Sequence, residues 1–197
     1  MKENLELIKR GLIIVDMVNG FVKEGTLADP QIAGIIPEIE RLALIYLENG
    51  DKVIAFKDCH NKNSPELNNF PAHCIEGTNE VELVDELKQY EDKFTVFNKN
   101  STSGFVVPEF FDYIKGMTNL TELVITGCCT DICIINLAIP LKNFFNEINR
   151  NVNIIVPKNA VDTYNIPDIH NRDEWNEMSF RFMKQAGIQI VKKFGGV

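Results

Sequence analysis

The chain has 197 residues, 45% of them hydrophobic, a length that supports one well-buried domain over 1–197 and is short for two ordinary ones. Its 28 acidic against 20 basic residues give a net charge of -8 spread along the chain, which argues against nucleic acid or an anionic membrane as a partner. Five cysteines are an odd count and Lys2, Glu3, Lys9 and Arg10 interrupt the start, so reduced thiols and a cytoplasmic protein are expected. No run approaches the ~20 apolar residues needed to span a bilayer.

Strand-like and helix-like segments alternate with no repeat and no low-complexity stretch. Residues 12–15 read as a first strand, followed by a loop through Asp16 and Phe21. A helix is predicted over 30–49, closed by Gly50, with Pro37 dividing it into two pieces. Residues 53–56 read as a second strand, and 57–78 form a long irregular segment rich in Asn, Pro and His; loops of that length in a compact domain are usually functional. A short helix over 80–90, a third strand over 94–97 and a helix over 108–115 follow. The run 123–126 is apolar and β-branched, as a strand buried on both faces should be. It passes through Gly127 into a helix that begins near Cys133, that Thr130 or Asp131 can cap, and that reaches toward Arg150 with a kink at Pro140. A fifth strand over 152–156, an amphipathic helix over 168–185 ended by Gly187, and a sixth strand over 188–191 complete the chain. The alternation predicts an α/β, three-layer Rossmann-like fold, a mainly parallel six-stranded sheet with helices on both faces.

In such sheets ligands sit at the carboxyl ends of the strands. Asp16 follows the first strand, Asp58 and His60 the second, Lys99 the third and Cys133 the fourth. A thiol in a first helical turn feels the positive end of the helix dipole and sits among free N–H groups, which favour a thiolate and can receive an oxyanion. A carboxylate beside it can take its proton and return it to a leaving amine, and an ammonium favours the thiolate. Asp16, Lys99 and Cys133 together would make a complete hydrolytic triad. Singly, Asp16 could cap a turn and Lys99 could be a solvated charge; their convergence at strand ends favours the triad. Cys128 and Cys129 read on their own as small buried hydrophobes.

Two of the three histidines, His60 and His73, lie in the irregular segment. Asp58 and His60 are one residue apart, so in an extended stretch they point the same way, and His73 can fold back to complete a facial set. Two imidazoles and a carboxylate suit Zn(II), Fe(II) or Mn(II), with Glu66 as a further candidate ligand. Cys59 and Cys74 adjoin these residues and could form a thiolate site, although strand alternation turns Cys59 away. His170, in the polar segment before Trp175, reads as a surface or capping residue.

These residues resemble the isochorismatase-like cysteine hydrolases, and within them the nicotinamidases, over nearly the whole chain. Asp16-Met17-Val18-Asn19-Gly20-Phe21 looks like the opening segment of that family. Asp58-Cys59-His60 and Pro71-Ala72-His73-Cys74-Ile75-Glu76-Gly77-Thr78 look like the metal segments. Lys99 with Ser101 and Phe105 looks like the catalytic-lysine loop, Gly127-Cys128-Cys129-Thr130-Asp131-Ile132-Cys133 like the nucleophile motif, and Asn159-Ala160-Val161-Asp162 like the closing segment. The resemblance implies Asp16, Lys99 and Cys133 as the triad, and Asp58, His60 and His73 as ligands of one divalent ion, zinc with iron or manganese as alternatives. It also implies a cis peptide between Cys128 and Cys129 that directs the Cys129 N–H, with that of Cys133, at the oxyanion. Phe21, Cys128 and Cys129 would contact the substrate. Val18 and Gly20 depart from the pattern, where glutamine and an acidic residue are common, so the pocket wall beside Phe21 is expected to differ. The loop between His60 and His73 also looks shortened.

The implied activity is hydrolysis of an aromatic carboxamide, nicotinamide to nicotinate and ammonia, through a thioacyl-enzyme. Related amidases acting on ureido or carbamoyl groups are the alternative, and a catalytically idle binding module is the reading from another class. A small-molecule carboxamide is the expected partner. A homo-oligomer is also expected, although apolar helix positions such as Ile134, Leu137 and Leu141 are needed for the core and do not themselves show an interface.

Overall fold

Parallel strands set the frame of the molecule. The computed structural model describes residues 5–195, so Lys2 and Glu3 of the charged start lie outside it. Among the described residues the strands are β1 (Arg10–Val15), β2 (Lys52–Asp58), β3 (Thr95–Lys99), β4 (Glu122–Cys128), β5 (Asn153–Pro157), β6 (Val161–Asp162) and β7 (Gln189–Val191). They form one 7-stranded sheet in the order β3-β2-β1-β4-β5-β7, with β6 paired to β4, and every pairing is parallel. The sheet thus has one strand more than the six expected. The addition is β6, whose two residues are too few to show any periodicity in sequence.

The helices are α1 (Asn19–Val22), α2 (Ile36–Glu48), α3 (Asp85–Lys88), α4 (Pro108–Gly116), α5 (Ile135–Glu147) and α6 (Arg172–Gln185). Side chains alternate across a strand, and β1 shows the result. Leu12 and Ile14 pack on one face with Ile39, Leu42, Ala43 and Tyr46 of α2. Ile13 and Val15 pack on the other with Phe110 and Ile114 of α4, Leu137 and Leu141 of α5, and Phe180 and Met183 of α6. Three layers follow, as expected, and Ile134, Leu137 and Leu141 are fully buried in the second core.

Element boundaries differ from expectation where side chains outside the periodic pattern decide them. The segment over 30–49 divides into a 3-10 turn, Pro30–Ile35, and α2, with Pro37 in the first turn of α2, where a missing N–H costs no helical hydrogen bond. The helix expected over 80–90 is reduced to a 3-10 turn, Asn79–Val81, and the four residues of α3, because Leu83 between them pairs with Val18 in an antiparallel bridge. Ahead of α5 lies a π-helical turn, Thr130–Ile134, in which Ile134 N–H donates to the Cys129 carbonyl at 3.1 Å; neither Thr130 nor Asp131 caps it with a side chain. Helix α6 starts at Arg172 rather than 168, because Asn171 is its cap and accepts from Glu174 N–H at 3.1 Å.

The chain runs outward from β1 through β2 to β3, then returns to β4 beside β1 and runs outward the other way. The carboxyl ends of β1 and β4 are therefore the topological switch point, where such a sheet opens a crevice.

Candidate active site

Register delivers the reactive side chains to that crevice. Val15 at the end of β1 is level with Gly127 of β4, and Asp58 at the end of β2 is level with Lys99 at the end of β3. Gly127 has φ 111°, and a Cβ there would stand 2.0 Å from the Val15 carbonyl oxygen, so β1 and β4 approach this closely only over a glycine. Asp16 then leaves β1 in the left-handed region (φ 53°), where short polar side chains are the best tolerated after glycine. Beyond Gly127 the Cys128–Cys129 peptide is cis, and the π-helical turn carries Cys133.

Asp16, Lys99 and Cys133 are brought together. The Lys99 ammonium lies 2.9 Å from Asp16 Oδ2 and donates to Asp58 Oδ1 at 2.8 Å and to Cys133 Sγ at 3.7 Å. All four side chains are buried. Burial pushes the Asp16 carboxyl up to about 6, against the attraction of Lys99, and the Asp58 charge adds to the rise. Burial also pushes the Cys133 thiol well above its usual range, with Lys99 pulling the other way. Desolvation of the anion thus outweighs the attraction of Lys99, the opposite direction to the favoured thiolate expected from the helix terminus. Burial would lower Lys99, but the surrounding anionic groups, Asp16 first, outweigh it and hold the ammonium charged.

Asp58 divides its carboxylate. Oδ1 faces Lys99, while Oδ2 lies 3.0 Å from His60 Nε2 and 3.2 Å from His73 Nε2, which are 3.1 Å from each other. Burial raises this carboxyl, but Lys99, the largest opposing influence, holds it well below the usual carboxylate range. The far ring nitrogens decide the tautomers. His73 Nδ1 is 2.7 Å from the Pro71 carbonyl, an acceptor, and His60 Nδ1 is 3.3 Å from Asn100 Oδ1, which already accepts from Asn61 N–H. With the ring proton on Nδ1, each imidazole spends its N–H outward and turns an Nε2 lone pair inward. In that tautomer two nitrogen lone pairs and a carboxylate oxygen converge, an arrangement that a cation satisfies. Glu66 completes the group: its Oε1 is 3.7 Å from His60 Nε2, its Oε2 accepts from Thr102 N–H at 3.0 Å, and the four donor atoms lie within 4.8 Å of one another. Nitrogen and oxygen donors of this kind fit a divalent transition ion. Cys59 and Cys74 are outside the group, and all five cysteines are free.

A cavity of about 480 Å³ opens over both clusters, within the range of small-molecule sites. Phe21, Asp58, Glu66, His73, Cys129 and Cys133 line it, and the Phe21 ring is 5.7 Å from that of His73. Cys128 is not a lining residue. Its side chain is fully buried and its thiol donates to the Asp16 carbonyl at 3.3 Å, so on this segment Cys129 rather than Cys128 faces the cavity. Val18 and Gly20 do not line the cavity either: Val18 is in the core, and a Cβ on Gly20 would meet Cys74 Sγ at 2.6 Å. Sequence reading missed Leu27, Ile132 and Tyr164 on the wall, whose apolar types carry no signal apart from core residues. His170 is a correction: it is buried, and its Nε2 pairs with Asp131 Oδ2 at 2.8 Å.

The model of the isochorismatase domain matches residues 10–193. Nicotinamidase 1 of Arabidopsis thaliana is 30% identical over 210 residues, covering 93% of this chain and 85% of that protein. The crystal structure of nicotinamidase PncA from Bacillus subtilis superposes with a TM-score of 0.77 at 29% identity, covering 93% of this chain and 99% of the other. Pyrazinamidase of Pyrococcus horikoshii, solved in complex with zinc, shares the fold with a TM-score of 0.75 at 24% identity, over 94% and 99% of the two chains. On these matches the chain belongs to the isochorismatase family, among its amidohydrolases.

Proposed function

We propose that the protein hydrolyses nicotinamide to nicotinate and ammonia with Cys133 as nucleophile. The observation that carries this reading is the juxtaposition of a buried Asp16–Lys99–Cys133 cluster with three inward lone-pair donors across one cavity. Identity to nicotinamidases near 30% over almost the whole chain supports the substrate.

Charge conservation dictates the first step. With Asp16 ionised and Cys133 a thiol, moving the thiol proton to Asp16 creates the thiolate without adding net charge to a buried site, and Lys99 touches donor and acceptor alike. Asp16 Oδ1 finds no hydrogen-bond partner among the described residues, which leaves an oxygen open to that proton. The thiolate attacks the carboxamide carbon, and the N–H groups of Cys129 and Cys133 receive the oxyanion. Asp16 then returns the proton to departing ammonia, and water, activated by the same carboxylate, releases the acyl group from sulfur. Asp58, His60 and His73, with Glu66, would hold one divalent ion, which when bound supplies a Lewis-acidic position for the pyridine nitrogen. Phe21 packs against the ring, and Asp58 links the two clusters through its contact with Lys99.

The test is ammonia release from nicotinamide by zinc-loaded protein beside its Cys133→Ala variant. Release by the wild type and a loss of at least about a thousandfold in the variant are expected. Substantial turnover in Cys133→Ala would overturn the thiol mechanism. An inert wild type would overturn the substrate and direct the assay to ureido and carbamoyl amides.

A further inference from the structure

Asp131 stands two residues before Cys133 and turns away from the helix that follows. Its Oδ2 lies 2.8 Å from His170 Nε2, and its Oδ1 accepts from the Thr163 hydroxyl. Both carboxylate oxygens are thus tied across the cavity rim to the segment between β6 and α6. The other ring nitrogen of His170, Nδ1, is 3.0 Å from the Tyr164 carbonyl. Both neighbours are acceptors, so the ring nitrogen that carries a proton serves as a donor. The ring is also sandwiched between aromatic faces, Tyr164 at 3.9 Å and 14°, Trp175 at 4.9 Å and 4°.

The segment that delivers this ring is folded back on itself. Ile166 N–H donates to the His170 carbonyl at 3.0 Å, His170 N–H donates to the Ile166 carbonyl at 2.8 Å, and Asp168 between them takes φ 62°. One face of Tyr164 is therefore fixed by His170, while Tyr164 itself lines the cavity with Cys129, Ile132 and Cys133. His170 is not itself a lining residue, yet it contacts both the turn that carries Cys133, through Asp131, and the wall residue Tyr164.

We propose that His170 is a positioning residue with two separable actions. Its bond to Asp131 holds the turn over 129–133 so that Cys133 and the N–H groups around it face one point. Its stack holds Tyr164 as the surface on which the acyl part of the substrate lies. The inference rests on the amide-hydrolysis reading for its kinetic arm only. A displacement of about 1 Å at a reacting centre costs on the order of a hundredfold in rate, whereas a loosened wall weakens binding.

Three variants separate the actions. His170→Phe keeps a ring in the stack and loses the donor; kcat is expected to fall about a hundredfold with KM within about twofold of wild type. His170→Gln places an amide N–H near the position of Nε2 and loses the stack; kcat is expected within about fivefold of wild type, with KM raised about fivefold or more. Asp131→Ala removes the same bond from the other side, should reproduce the kcat loss of His170→Phe, and should add little to it in the double variant. Amide hydrogen exchange over 129–134, which does not depend on the substrate, should show lost protection in His170→Phe and Asp131→Ala and retained protection in His170→Gln. Equal protection in all four proteins, or kcat and KM falling together in proportion to lost thermal stability, would overturn the proposal. A wild type inert toward nicotinamide would overturn the substrate alone, and the exchange experiment would still decide the role of His170.

Discussion

Asp16 is buried between an ammonium and a thiol, and in the proposed mechanism its protonation sets the pH at which the thiol can be activated. Burial is the main cause of its rise to about 6, so the carboxylate able to accept a proton is lost as the pH falls through that value. The expected profile of kcat/KM, measured at constant metal loading, has an acid limb falling about tenfold per pH unit below about pH 6. Asp16→Asn should abolish that limb and lower kcat by about 10²- to 10⁴-fold. A wild-type profile that stays flat down to about pH 5 would remove Asp16 as the base. At this scale residue type and position were legible: a carboxylate, a lysine and a cysteine each follow an apolar run. What burial does to them was not legible. The helix terminus ahead of Cys133 suggested a stabilised thiolate, and the enclosed site reverses that sign. His170 shows the same limit, because its polar neighbours in sequence suggested a surface, while Tyr164 and Trp175 close over it from positions six residues before and five after.

The close approach of β1 and β4 is the element-scale feature on which the cluster depends. Gly127 permits it, and a methyl group there would be driven into the backbone of Val15 in a left-handed conformation that alanine disfavours. Gly127→Ala is expected to cost about 3 kcal/mol of unfolding free energy or more, read from urea titration. Gly34→Ala, where an added Cβ meets nothing within 4 Å, should change it by less than about 0.5 kcal/mol. Equal effects would remove the strand approach as a constraint. Strands and long helices were readable because their apolar periods are strong. Short elements were not: α1, α3 and β6 run for 4, 4 and 2 residues, less than their patterns need in order to repeat. The start of α6 is marked in the sequence by Asn171 followed three residues later by Glu174.

Across the whole molecule, the segment over 59–78 owes its path to a few tethers. Three of the four donor side chains, His60, Glu66 and His73, come from it, and a 3-10 turn, Pro65–Asn68, is its regular element. An ion bound there would tie this segment to β2 through Asp58 and stabilise the native state by linkage, by about 4 kcal/mol at a free concentration a thousand times Kd. Chelator-treated protein is expected to melt at a lower temperature and to recover on addition of zinc, with His73→Ala showing no such recovery. A melting temperature indifferent to zinc in the wild type would rule out the site as a metal centre. The sequence alone determined the alternation of strands and helices, the strand ends at which chemistry-bearing residues fall, and the family, because apolar period and residue type are properties of neighbours along the chain. Tertiary structure alone decided the division of Asp58 between Lys99 and the imidazoles, the inward-facing Nε2 atoms of His60 and His73, the raised Asp16 and Cys133, and the burial of His170 against Asp131 and Tyr164. Each of these depends on which groups meet across the switch point and on the water excluded there, and separation along the chain encodes neither.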